Sequence, residues 1–158
     1  MSTRTDLLQQ MAVFGAIRTE VLEFLLAEAA VVEIESGEYF FRQGAPGESM
    51  FVLERGKVEV LRERDAAPPH VLRVLDAGDC FGEMAIMDLS PRSASVRALV
   101  ACSAIEITTA NLMRLYEHDL EQFALIGMNM GRELSRRLRH ADERLLAGLA
   151  ATTMPRER

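Results

Sequence analysis

A mainly β fold with flanking helices is predicted by three features of this chain. Between residues 31 and 109, short β-branched or alternating runs recur at 31–35, 39–42, 50–54, 58–62, 71–75, 95–98 and 104–108. Glycines at 37, 44, 47, 56 and 78 fall near the ends of those runs, where the chain must turn. Outside this zone, apolar residues return at steps of three and four, the period of a helix. Many short strands divided by glycine turns build a sandwich, a roll or a barrel.

The elements follow in order. Residues 5–30 form an N-terminal helical zone. Leu7, Leu8, Met11, Phe14 and Ile17 make one apolar set and Val21, Leu22, Phe24, Leu25 and Leu26 a second. Gly15 marks the break between them, and Thr19 starts the second helix. Within the strand zone, Arg64-Asp65-Ala66-Ala67-Pro68-Pro69 reads as a polar, proline-stiffened loop at a hairpin tip. A short helix is predicted at 111–117 and a long one from about 119 to 150, with no proline before Pro155. The long helix carries an apolar stripe of Leu120, Phe123, Gly127, Met130, Leu134, Leu138, Ala141, Leu145 and Leu149. Thirty helical residues span about 45 Å, so the far end must project, and a projecting apolar stripe finds a partner, often its own copy. Gly127 and Gly131 either allow a close approach or mark a bend. Residues 151–158 read as a tail.

Composition narrows the function classes. The 158 residues are 49% hydrophobic and 27% charged, enough core and surface for one ordinary domain. Cys80 and Cys102 lie among apolar neighbours and read as two buried free thiols rather than a disulfide, and they are too few for a thiolate metal cluster. His70, His118 and His140 show no metal-ligand spacing, and no Ser-His-Asp or Cys-His arrangement emerges, so no metal and no enzyme are expected. The nine methionines read as core filler. No signal peptide and no apolar run of membrane-spanning length is present, which points to a cytoplasmic protein. The net charge of −6 disfavours non-specific nucleic-acid binding. From Arg132 to Arg158, however, seven arginines face four acids, which is either a solvated helix face or a surface for an anionic ligand or acidic partner.

One segment carries chemistry: Phe81-Gly82-Glu83-Met84-Ala85-Ile86-Met87-Asp88-Leu89-Ser90-Pro91-Arg92-Ser93-Ala94-Ser95-Val96. It lies between two strands, and Gly82 opens a short helical turn from Glu83 to Met87. Free N–H groups at a helix start attract anions, and glycine clears the backbone for a ligand. Arg92 follows where it can fold back over that site as a charge-assisted partner for phosphate. Glu83 would repel a phosphate, but a carboxylate accepts well from a sugar hydroxyl. Glu83 and Arg92 together therefore fit a sugar phosphate, or else form a salt bridge on a surface turn.

Phe-Gly-Glu-Met-Ala followed by Pro-Arg-Ser-Ala-Ser-Val resembles the phosphate-binding cassette of the cyclic nucleotide-binding domain family. Gly37-Glu38, Phe41-Arg42-Gln43-Gly44, Gly47-Glu48-Ser49-Met50-Phe51-Val52-Leu53, Gly56-Lys57-Val58-Glu59-Val60 and Leu75-Asp76-Ala77-Gly78-Asp79 are similar to the upstream half of that family's roll. The likeness runs from about Leu7 to Leu149. It implies an eight-stranded β-roll of double-stranded jelly-roll type with an N-terminal helical bundle and a long C-terminal helix. Residues 1–150 would form the domain, with 5–30 the N-terminal helices, 31–109 the roll and 111–150 the hinge and capping helices.

The resemblance also implies roles. Gly82, Met84 and Ala85 would present backbone atoms to the ligand, Glu83 would hold the ribose 2′-hydroxyl, and Arg92 would pair with the cyclic phosphate. Ser93 would add a hydroxyl contact, and Ala94 would allow close backbone approach. Ser93 leans toward cAMP over cGMP as the ligand, since Ser occurs at this place in bacterial cAMP receptors. The long helix lacks the Thr-Ser pair that reads adenine in bacterial cAMP-responsive activators, which leaves Arg136, Arg137 and Arg139 as candidates for the base. The sequence holds no winged helix-turn-helix, so no direct DNA binding is expected. The expected partners are an effector protein and a second copy docked through the C-terminal helix. A cyclic dinucleotide ligand and a ligand-independent interaction module remain the alternatives.

Overall fold

The computed structural model describes residues 3–153. The elements run α1 (Arg4–Gln9), a 3-10 turn (Ala12–Phe14), α2 (Thr19–Glu28), β1 (Ala30–Ile34), β2 (Tyr39–Phe41), β3 (Ser49–Arg55), β4 (Lys57–Arg64), β5 (Ala67–Asp76) and β6 (Cys80–Phe81). Then come α3 (Glu83–Asp88), β7 (Ser95–Ala98), β8 (Cys102–Thr108), α4 (Thr109–His118) and α5 (Leu120–Thr153). Eight antiparallel strands form two four-stranded sheets, ordered β1-β8-β3-β6 and β2-β7-β4-β5. This is the eight-stranded roll with flanking helices that the resemblance implies.

Side chains alternate along a strand, and β3 shows the consequence. Met50 and Val52 pack into a cluster with the helices, while Phe51 and Leu53 pack into a second cluster between the sheets. The apolar run Met50–Leu53 is thus buried on both faces. β1 and β5 sit at sheet edges and are largely exposed.

Two expectations change. The loop at 64–69 is shorter than its composition implies: Arg64 pairs with Ala67, and only residues 65–66 turn, with Ala66 at φ +54°. Pro68 and Pro69 belong to β5, which tolerates them because it is an edge strand with no neighbour on its outer side. The two-residue strand β6 (Cys80–Phe81) leaves no pattern in the sequence. It is too short to show alternation and exists because Phe81 and Cys80 pair with Phe51 and Val52 of β3.

The helix after the roll begins two residues earlier than its apolar pattern indicates. Thr108 is the cap: its hydroxyl accepts from the Asn111 N–H at 3.0 Å, and the Asn111 side chain accepts from the Thr108 N–H at 2.9 Å. α5 then runs unbroken through Gly127 and Gly131, with open space beside both. Its root is tied down. Gln122 accepts from the Arg18 N–H at 2.9 Å, Asn129 donates to the carbonyls of Val13 and Gly15 at 3.1 and 2.9 Å, and Ile126 and Met130 enter the helical core. Further on, Leu138, Leu145 and Leu146 are 63%, 63% and 67% exposed, so the second half of α5 projects. The expected tail at 151–158 is helical as far as Thr153, and 154–158 lies outside the described residues.

Candidate functional site

The segment from Phe81 to Val96 leaves one sheet at β6, makes α3 and enters the other sheet at β7. Gly82 caps α3 at φ +84°, a left-handed conformation that favours glycine. A Cβ on Gly82 would also come within 2.7 Å of Arg92 Nη1. On the facing loop, a Cβ on Gly47 would overlap the Ala85 methyl. These two glycines let the loop before β3, the start of α3 and the Arg92 side chain share one small volume. The backbone is fixed as well: the Gly44 N–H donates to Arg92 O at 2.8 Å, and the Arg92 N–H donates to Ala45 O at 2.9 Å.

Arg92 is 5% exposed. Its Nη1 donates to Gly82 O at 2.9 Å, its Nη2 donates to Ser49 Oγ at 3.3 Å, and its guanidinium carbon lies 4.0 Å from the centre of the Phe41 ring. The buried Nε has no hydrogen-bond partner. Among the described residues, no carboxylate comes within ion-pair distance of Arg92. Burial pulls the guanidinium below its ordinary pKa, and the charges of Glu106 and Glu83 offset this only in part. A buried cation with an idle donor and no counter-ion is costly, and an anionic ligand would relieve that cost.

Glu83 is 4% exposed, and its partner is not Arg92 but Arg137 of α5, whose Nη1 donates to Glu83 Oε1. The surface salt bridge between Glu83 and Arg92 that spacing left open is therefore absent. A cavity of about 40 Å³ lies between these groups, lined by Phe41, Arg73, Gly82, Glu83, Arg92 and Ser93 among others. It holds a few waters at most. A larger open groove of about 780 Å³ bears Glu48 and Glu106, charges that suit no anion.

Most of the residues singled out from sequence meet here. Gly82, Glu83, Met84, Ala85, Arg92, Ser93 and Ala94 all line the cavity. Met84 is 42% exposed at its rim, and the Ser93 carbonyl accepts from Arg62 Nη1 at 2.6 Å. Of the three candidate arginines Arg136, Arg137 and Arg139 on the long helix, only Arg137 reaches the site, through Glu83. Arg136 pairs with Glu133, and Arg136 and Arg139 border a separate groove beside Gly127 and Gly131. Three contributors were missed: Phe41 beneath the guanidinium, Ser49 against it, and Arg73 on β5. Alternation along β5 carries a signal for Arg73, because Leu75, two residues on, is buried.

The model of the family described as the cyclic nucleotide-binding domain matches residues 31–119, more than half of the chain. The chain belongs to this family. The domain is 25% identical over 150 residues to the CRP-like cAMP-activated global transcriptional regulator of Mycobacterium tuberculosis, covering 95% of this chain and 65% of that protein. It is 31% identical over 110 residues to the cyclic AMP receptor protein of Thermus thermophilus, covering 67% of this chain and 47% of that protein. The crystal structure of the sensor domain of the transcriptional regulator DNR from Pseudomonas aeruginosa matches it with a TM-score of 0.73 at 26% identity, covering 88% of this chain and 91% of the other. The chain thus spans about two thirds of the length of the first of these two bacterial relatives and about half of the second. Among the described residues, no helix is long and apolar enough to cross a membrane, and no group of three His, Cys, Asp or Glu side chains could hold a metal ion.

Proposed function

We propose that this cyclic nucleotide-binding domain is a regulatory sensor that takes up a cyclic mononucleotide without consuming it. The observation that carries this reading is Arg92, buried without a counter-ion beside a cavity that also presents Glu83. The cyclic phosphate neutralises Arg92. Glu83 accepts from the ribose 2′-hydroxyl while Arg137 holds its other side. Ser93, and the cAMP in the names of both bacterial relatives, support cAMP as a ligand. Membership of a nucleotide-binding family supports binding without turnover.

Ligand pockets usually hold several hundred Å³, far more than the 40 Å³ here. Nucleotide entry therefore displaces the groups around the cavity. Glu83 is one of them, and through Arg137 its displacement reaches α5. The ligand shifts the population of α5 positions by whatever differential affinity it has for them. The projecting second half of α5, with Leu138, Leu145 and Leu146 exposed, then carries the change to an effector protein or to a second copy of the domain.

The test is calorimetry with cAMP, cGMP and 2′-deoxy-cAMP on nucleotide-free wild type and Glu83→Ala. Wild type is expected to prefer cAMP over its 2′-deoxy analogue by roughly tenfold, the strength of a hydrogen bond to a charged acceptor, and Glu83→Ala to lose that preference. No binding of any of the three by a folded protein would refute the sensor reading and favour an interaction module. Unchanged hydrogen exchange in residues 122–149 on saturation would refute the relay. Sedimentation of the domain as a monomer at all concentrations would rule out the second copy.

A further inference from the structure

β4 runs on to Arg64, whereas β7 begins only at Ser95. The last pair between the two strands is Leu61 opposite Ser95. Carried on to the next ladder bond, this antiparallel register sets Glu63 opposite Ser93 and would join the Glu63 N–H to the Ser93 carbonyl. Side chains take both groups instead. The Glu63 N–H donates to Gln43 Oε1 at 2.8 Å, and the Ser93 carbonyl accepts from Arg62 Nη1 at 2.6 Å. The ladder thus stops one bond early, and the chain that carries Arg92 stands clear of β4.

Gln43 spans the gap. Its side chain reaches β4, and its backbone N–H donates at 2.8 Å to the hydroxyl of Ser95, which is fully buried at the start of β7. The next residues of the same loop hold the Arg92 backbone in both directions, through the Gly44 N–H and the Ala45 carbonyl. A half-buried N–H needs an acceptor. Without the Gln43 amide, the acceptor that the register offers Glu63 is the Ser93 carbonyl. Closing that bond draws Ser93 toward β4 and drags Arg92, whose guanidinium meets Gly82 O at 2.9 Å. Hydrogen bonds weaken steeply as their geometry is lost, so a small backbone shift is felt at the phosphate end of the cavity.

We propose that Gln43 is a positioning residue: it holds the Arg92-Ser93 segment out of the β4 ladder, so that the Arg92 guanidinium meets one exocyclic oxygen of the cyclic phosphate. This rests on the reading of the cavity as a cyclic nucleotide site. Gln43 acts through the backbone, from outside the cavity lining. Arg62 serves the same arrangement from β4 by occupying the Ser93 carbonyl. Glu83 lies on α3, away from this gap, so the ribose contact does not depend on it.

Calorimetry tests it with cAMP, 2′-deoxy-cAMP and the two phosphorothioate diastereomers of cAMP, in which sulfur replaces one or the other exocyclic oxygen. Wild type is expected to distinguish the diastereomers by roughly fivefold or more, as a guanidinium fixed on one oxygen requires. In Gln43→Ala, cAMP affinity is expected to fall roughly tenfold and the diastereomer ratio to move toward one. The penalty for removing the 2′-hydroxyl, which reads Glu83, should stay within about twofold of its wild-type value. Gln43→Glu keeps an acceptor for the Glu63 N–H and is expected to restore the diastereomer ratio. Arg62→Ala, at an exposed side chain, frees the Ser93 carbonyl and should shift the ratio as Gln43→Ala does; it decides alone if Gln43→Ala does not fold in a circular dichroism melt. If the four ligands weaken alike in the alanine variants, if their affinities do not change, or if Gln43→Glu behaves as Gln43→Ala, the role of Gln43 is refuted while the site stands. A wild type that binds cAMP but does not distinguish the diastereomers refutes it too. If wild type binds none of the four, the site reading and this inference fail together.

Discussion

Replacing Arg92 with leucine separates what this residue does for a ligand from what it does for the fold. The guanidinium holds Gly82 O at 2.9 Å and Ser49 Oγ at 3.3 Å and lies 4.0 Å from the Phe41 ring centre. The two hydrogen bonds contribute about 1.5 kcal/mol each, the low end for a charged donor, and the ring contact adds about 1 kcal/mol. Against them stands the desolvation of a charged group with no counter-ion, which costs several kcal/mol. The terms nearly cancel, so the empty variant is expected within about 1 kcal/mol of wild type, or about 2–4 °C in Tm for a domain of this size. Binding responds differently. Losing the phosphate contact removes roughly 1.5–3 kcal/mol, a weakening of about 10- to 150-fold. Ligand at one hundred times the wild-type Kd stabilises wild type by about 2.7 kcal/mol, or roughly 5–10 °C. At that same concentration the variant gains about half of this or less. Differential scanning fluorimetry with and without cAMP reads both quantities. A variant that unfolds when empty would show Arg92 to be a structural strut, and one that keeps the full ligand shift would place the phosphate elsewhere.

Two further outcomes follow from the same geometry. Gly47→Ala drives a methyl against Ala85 and close to Arg92, so its urea midpoint should drop by the equivalent of about 1–3 kcal/mol and cAMP affinity should fall with it; an unchanged midpoint would contradict the close packing of loop and α3. Burial, reinforced by the charge of Glu83, pushes the Cys80 thiol up to about 12. The reactive thiolate is therefore scarce at neutral pH. Iodoacetamide should label Cys80 only in urea, and rapid labelling of the native domain at pH 7.5 would show that the thiol is not buried.

How far the sequence reached differs from element to element. The seven longer strands carry enough alternation to be read, and the two helical flanks enough 3.6-residue periodicity. β6 does not, because two residues have no period and Cys80 and Phe81 are strand only by virtue of β3 beside them. Proline content misdirected the reading of Pro68 and Pro69, since local propensity is blind to whether a strand lies at an edge. At the site, Gly82, Glu83, Arg92 and Ser93 were legible because they sit within one short segment whose spacing is set by a single turn of helix.

By itself, then, the order of residues determined the fold class, the flanking helices and the α3 segment of the cavity, all features legible from patterns close along the chain. Tertiary structure decided the rest. It chose Arg137 rather than Arg92 as the partner of Glu83, turned Arg136 and Arg139 away from the cavity, and brought Arg73 into the cavity lining. Those choices depend on the rotation of α5 about its axis and on the register of β5 against β4. One residue of slip in either places a different side chain in the site. Both quantities are settled only when helix and sheet pack, by the burial of Ile126, Met130 and Leu75.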